Sequence, residues 1–96
     1  MKYRSRSEII AAILEAANGG GATKTTIMYK AVISYDYMKQ CLLSLAEDGL
    51  IEYEQGRMTY GTTAKGMHLL QLYNNVNEMV QPSIIKIEKK NNDLFL

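Results

Sequence analysis

The stretch AVISYDYMKQCLLSLAEDGLIEYEQGRMTYGT, residues 31–62, decides the fold, because a helix start, a helix stop and a change of hydrophobic period follow one another within it. Ser34 is placed to cap a helix, and Ile33 before it stands opposite Met38 at the spacing of a hydrophobic staple. The spacing predicts a helix from Tyr35 to Asp48 that buries Met38, Cys41, Leu42 and Leu45. Asp36, Tyr37, Lys39, Gln40, Leu43 and Ser44 are left on or near the other face. Gly49 is the expected left-handed stop. From Leu50 to Thr62 the period becomes two, with Ile51 and Tyr53 alternating with Glu52 and Glu54, and Met58 and Tyr60 answering them. A hairpin turning at Gln55 and Gly56 is expected. It would pair Tyr53 with Met58 and Ile51 with Tyr60 on the inner face, and Glu54 with Arg57 on the outer.

Upstream, Ser5 and Glu8 have the spacing of a capping box, and Ile9, Ile10, Ile13, Leu14 and Ala17 then recur at helical intervals. Asn18 followed by Gly19, Gly20 and Gly21 ends that helix. Ala22 and Thr23 suit a short strand, and Thr23 also suits an N-cap for a short helix from Lys24 to about Ala31, with Ile27, Met28 and Ala31 inward. Val32 and Ile33 alone separate it from the helix that Ser34 begins.

Downstream, Thr62 or Thr63 can cap a fourth helix in which Leu69, Leu72, Tyr73, Val76, Met79 and Val80 form an apolar seam. The three earlier helices and the hairpin already close a small core, so this seam calls for a partner, and the expected partner is a second copy of the chain. Pro82 interrupts the pattern, and Ser83, Lys86 and Lys90 would occupy the next seam positions.

Length and charge set the bounds. Ninety-six residues with 47% hydrophobic content and one proline fit one compact unit with an ordinary core. Eleven basic and ten acidic residues leave a net charge of +1, so any attraction to nucleic acid must come from local placement rather than bulk charge. Residues 1–30 carry Lys2, Arg4, Arg6, Lys24 and Lys30 against Glu8 and Glu15, while Glu47, Asp48, Glu52 and Glu54 form an acidic block. The opening MKYRSRSEII has no apolar run of signal-peptide length, and no later stretch approaches a membrane span, so an intracellular protein without a membrane partner is expected.

Helix, short strand, helix, short turn, helix and hairpin is the order of a winged helix-turn-helix, whose third helix usually enters the DNA major groove. The expected fold class is therefore mainly α with a small β-hairpin. Residues 1–62 would form the winged helix-turn-helix DNA-binding domain, and residues 63–96 the C-terminal dimerisation helix and tail. The wording SEIIAAILEAA, then TKTTIMYKAVISYDYMKQCLLSLAEDGLIEY, then TTAKGMHLLQLY resembles the small archaeal winged-helix DNA-binding proteins of the Sulfolobus 10a type. The resemblance covers residues 5 to about 80 and implies DNA binding through the N-terminal winged helix. It also implies dimerisation through the C-terminal helix as an antiparallel coiled coil. Pro82 and the low net charge depart from that pattern, shifting the expectation from an abundant chromatin-associated protein towards a local transcriptional regulator, cytoplasmic and associated with the nucleoid.

On this reading Ser34, Tyr35, Tyr37, Lys39, Gln40 and Ser44 face double-stranded DNA. Gln40 suits a bidentate contact with adenine, and Lys39 suits guanine or phosphate. Asp36 either accepts from a cytosine amine, complements the helix N-terminus, or faces away. Lys24 and Thr25, with the hydroxyls around them, suit a phosphate as well as simple capping. Arg4 and Arg6 form a basic arm, and Arg57 either reaches the minor groove or pairs with Glu54. The rival reading is a winged-helix protein interaction module without DNA binding, for which Asp36 speaks.

Chemistry finds little purchase. GGGATKTT resembles a phosphate-binding loop only in its final Lys24 and Thr25, because Thr23 and Asn18 stand where that loop needs glycine. His68 is the only histidine and Cys41 the only thiol, so no metal set or nucleophile pair is assembled and neither an enzyme nor a cofactor is expected. Tyr29 has no evident place in the core.

Overall fold

The structure is a computed structural model that describes residues 4–76. Its elements are α1 (Arg6–Ala16), α2 (Lys24–Ala31), α3 (Tyr35–Glu47), β1 (Ile51–Glu54) and β2 (Thr59–Thr62). A further helix, α4, runs from 64 to 76, where the described residues end. Met79, Val80 and Pro82, named above for the seam and its interruption, lie outside them, as does Lys2.

Each helix begins where its sequence signal places it. The Ser5 hydroxyl accepts from the Glu8 amide at 3.1 Å while the Ser5 amide donates to the Glu8 carboxylate at 2.9 Å, so the capping box is complete. Thr23 accepts from the Thr26 amide, Ser34 from the Tyr37 amide and Thr63 from the Gly66 amide. The end of α3 is equally regular. Gly49 adopts φ +75°, its amide donates to the Ala46 carbonyl, and the Leu50 amide donates to the Leu45 carbonyl at 2.9 Å. These two bonds make a Schellman motif with Asp48 as the cap rather than as a helical residue.

The inward faces meet in one core. Ile13 and Leu14 of α1, Ile27 and Ala31 of α2, and Met38, Cys41, Leu42 and Leu45 of α3 are buried together with Leu50, Ile51 and Leu70. Met28, Ile33 and Tyr37 pack against this cluster half-buried. Leu70 was not among the residues expected to matter on α4, yet it carries that helix into the core. The hairpin is tied down by its second strand: the Thr62 hydroxyl donates to the Leu14 carbonyl at 2.6 Å, its amide donates to the Ala17 carbonyl, and Tyr60 exchanges two backbone bonds with Ala22.

The hairpin register differs from the expected one. Ile51 pairs with Thr62, Glu52 with Gly61, Tyr53 with Tyr60 and Glu54 with Thr59. The connection is therefore Gln55, Gly56, Arg57 and Met58, with Met58 at φ +53° and its amide donating to the Gln55 carbonyl at 3.2 Å. Met58 is consequently exposed rather than inward, and Arg57 leaves the strand pair for the loop. Its guanidinium meets the Glu54 carboxylate at 3.9 Å, an exposed ion pair that contributes little to stability.

The link between α2 and α3 carries strain. Val32, the C-cap of α2, has φ +54° and ψ +59°, a left-handed conformation that a β-branched residue adopts at a cost of about 1–2 kcal/mol. It is 74% exposed and so has little packing to offset that cost. The Arg4 guanidinium donates to the Ala31 carbonyl at 2.5 Å and to the Val32 carbonyl at 2.9 Å, setting a positive charge at the C-terminus of α2. Val32→Gly is expected to raise stability by about 0.5–1 kcal/mol, the relief of strain exceeding the added freedom of the unfolded chain. A urea titration reads this directly, and a lowered midpoint would show that the turn holds no such strain.

Candidate nucleic-acid interface

The outward arc of α3 runs across Tyr35, Asp36, Lys39, Gln40, Leu43, Ala46 and Glu47, all exposed. Helical spacing places Lys39, Leu43 and Gln40 side by side at its middle. Lys39 and Tyr35 lie one turn apart, and the Lys39 ammonium sits 5.4 Å from the centroid of the Tyr35 ring. Tyr37 is turned partly inward and packs against the core, which removes most of its ring from the arc. Ser34 is occupied as a cap and sits at the start of the arc rather than on it.

The hairpin flanks the arc: α3 and the hairpin enclose an open groove of about 360 Å³ lined by Lys24, Lys39, Leu42, Leu43, Ala46, Tyr53 and Tyr60. Lys24 is the first residue of α2, so the groove also receives the N-terminal end of that helix, beside Thr25. The groove's far wall is an aromatic pair: the rings of Tyr53 and Tyr60 lie 4.8 Å apart at 50°. On the side of the buried stripe, Arg6 at the start of α1 lines a second concavity with Cys41, Ser44, Leu45 and Asp48 of α3 and its cap, and with Leu69 of α4. Two cationic groups, Lys24 and Lys39, thus meet on the hairpin side of the α3 arc, although the chain as a whole carries a charge of only +1.

The remaining expected residues are distributed around this frame. Arg4 is engaged at the C-terminus of α2, as described above. Arg57 lies in the hairpin loop beside Glu54. Leu43, Tyr53 and Tyr60 were not named as site residues from the sequence, and the fold brings all three to the groove. A signal for Leu43 was present, since it is a leucine on the face opposite the buried stripe. The two tyrosines carried no such signal, because their meeting depends on the register.

A family model described as winged helix-turn-helix matches residues 3–81. The chain belongs to the winged helix-turn-helix family. Among solved structures this winged helix-turn-helix chain is similar to the crystal structure of Sso10a-2, a DNA-binding protein from Sulfolobus solfataricus, with a TM-score of 0.64 and 23% sequence identity. The similarity covers 97% of this chain and 98% of that one, and at this identity it is a likeness of fold. A comparison with curated proteins finds no match. The Sulfolobus 10a type to which the sequence wording pointed is thus matched by a structural neighbour bearing that name. Within the winged helix-turn-helix frame, α2 and α3 are the helix-turn-helix, β1 and β2 the wing, and the groove between α3 and the hairpin lies between the third helix and the wing.

Proposed function

We propose that the protein binds double-stranded DNA as a homodimer and acts as a transcriptional regulator, with α3 in the major groove. The observation that carries this reading is the placement of charge beside α3, with Lys24 and Lys39 together in the groove between its exposed arc and the hairpin. A B-form major groove is about 12 Å wide and admits a helix, and lysines beside that helix suit the phosphates that border the groove. The description of Sso10a-2 as a DNA-binding protein supports the same reading. In the complex, Gln40 addresses base edges, Lys39 a guanine or a phosphate, Lys24 and the first-turn amides of α2 a phosphate, and Arg57 reaches outward from the wing. Dimerisation would run through α4, where Leu69, Leu72 and Val76 are exposed and Tyr73 is half-buried.

Anisotropy titrations of a labelled duplex over a range of salt test the assignment. Lys24→Ala and Lys39→Ala are each expected to weaken binding and to lower the slope of log affinity against log salt by about one unit per lost phosphate contact. Unchanged slopes for both variants would remove α3 and the α2 N-terminus from the interface. Asp36 and Glu47 on the same arc favour a second reading, a protein interaction module. Absence of any duplex affinity at low salt would establish that reading over this one.

A further inference from the structure

Leu43 is the misfit of the recognition surface. It is 65% exposed, while the apolar stripe of its own helix is already complete in Met38, Cys41, Leu42 and Leu45, all buried. Its neighbours one turn away in each direction, Lys39, Gln40, Ala46 and Glu47, are exposed too, so it stands in the middle of a solvated face. It also lines the groove that holds Lys24, Lys39 and the Tyr53–Tyr60 pair. A leucine there neither donates nor accepts a hydrogen bond, and it leaves a large apolar surface in water until something covers it.

We propose that Leu43 is a specificity-determining residue that reads the C5-methyl group of thymine in the major groove. This inference rests on the DNA-binding reading of α3 and adds to it the identity of one recognised group. Each base pair displays donors and acceptors along the major-groove floor, and the apolar group displayed there is the thymine methyl. Gln40, one turn before Leu43, meets a polar base edge, so a helix that lays it on the floor brings the leucine side chain to the floor beside it. Covering a methyl with leucine then removes apolar surface from water on both partners. The consequence is a preference for sites with A·T pairs under the middle of α3.

The test compares two duplexes of equal length and charge, alternating poly(dA-dT) and alternating poly(dA-dU), which differ by that methyl group. With the full chain at fixed salt, the wild type is expected to bind the thymine duplex more tightly by about fourfold for each engaged α3. Leu43→Ala, at an exposed helical position where alanine keeps the helix, is expected to bind both duplexes equally. Lys39→Ala is expected to weaken both by a common factor and leave the ratio intact. Equal wild-type affinity for the two duplexes would overturn the proposal, as would a preference that survives Leu43→Ala, since that would arise from duplex shape. Either result leaves DNA binding standing. Failure to bind both duplexes would overturn the DNA-binding reading, and this inference with it.

Discussion

Gly66→Ala is expected to destabilise the protein by about 2–4 kcal/mol, the range of severe overpacking, and to lower its melting temperature by roughly 10–20 °C. A β-carbon on Gly66 would lie 2.2 Å from the Leu50 carbonyl oxygen and 2.7 Å from the Thr62 γ-methyl. Neither neighbour is free to yield. The Leu50 amide closes the Schellman motif of α3 and its carbonyl accepts from the Thr63 amide, while Thr62 is bonded through amide and hydroxyl to the end of α1. The helix must therefore move. Leu70, one turn on, would be drawn out of the core with it, and the Lys65 bond to the Asp48 carbonyl would be lost. Alanine favours a helix interior over glycine by about 1 kcal/mol, which is smaller than the clash and fixes the sign. Gly56→Ala is the control, because no atom lies within 4 Å of its added carbon. Thermal unfolding of Gly66→Ala at the wild-type temperature would show that α4 does not press on the α3–β1 corner.

What could be read from the sequence was what is decided within a few residues. The cap at Ser5 with Glu8, the cap at Ser34 and the stop at Gly49 are bonds between residues at most five apart, and all stand where expected. The hairpin register was missed for the opposite reason. Gln55 and Gly56 are acceptable in a two-residue turn, but β2 is held by partners far away, Ala22 at Tyr60 and Leu14 and Ala17 at Thr62. These set the strand's position and leave Arg57 and Met58 in the loop. The shift moves the pairing by an even number, so the faces of the strands survive and only the partners change. Tyr53 thereby meets Tyr60 in place of Met58. The same separation in sequence hid the groove: Lys24, Lys39 and Tyr53 come from three elements, and only the packed fold sets them against one concavity. On α4 the neighbours Leu69 and Leu70 divide their roles, one 39% exposed and the other 5%, which a seam read from spacing alone does not separate.

That division leads to the second large effect, in the proposed dimer. Leu70 and Gly66 face the domain, whereas Leu69, Leu72 and Val76 fall about a third of a turn round the helix from them. Leu72 is 48% and Val76 58% exposed, an apolar stripe with no covering among the described residues. Met79 and Val80, which the sequence spacing adds to the seam, lie outside the described residues. Replacing Leu72 and Val76 together by glutamate places charges that a lone domain tolerates in water but a packed helix pair does not. The expected result is a monomer by light scattering with the unaltered circular dichroism of a folded domain. DNA affinity should fall by about 100-fold or more, because the second α3 no longer binds at the high effective concentration that linkage confers. The salt dependence should also fall to roughly half, since each head carries its own phosphate contacts. Lys39→Ala in the dimer removes one contact per head and leaves assembly intact, so the two variants separate the role of the helix from that of the seam. A folded Leu72→Glu, Val76→Glu variant that remained dimeric and bound DNA as the wild type does would move the dimer interface off α4. The spacing of the two heads would then have to be set by another surface of the winged helix.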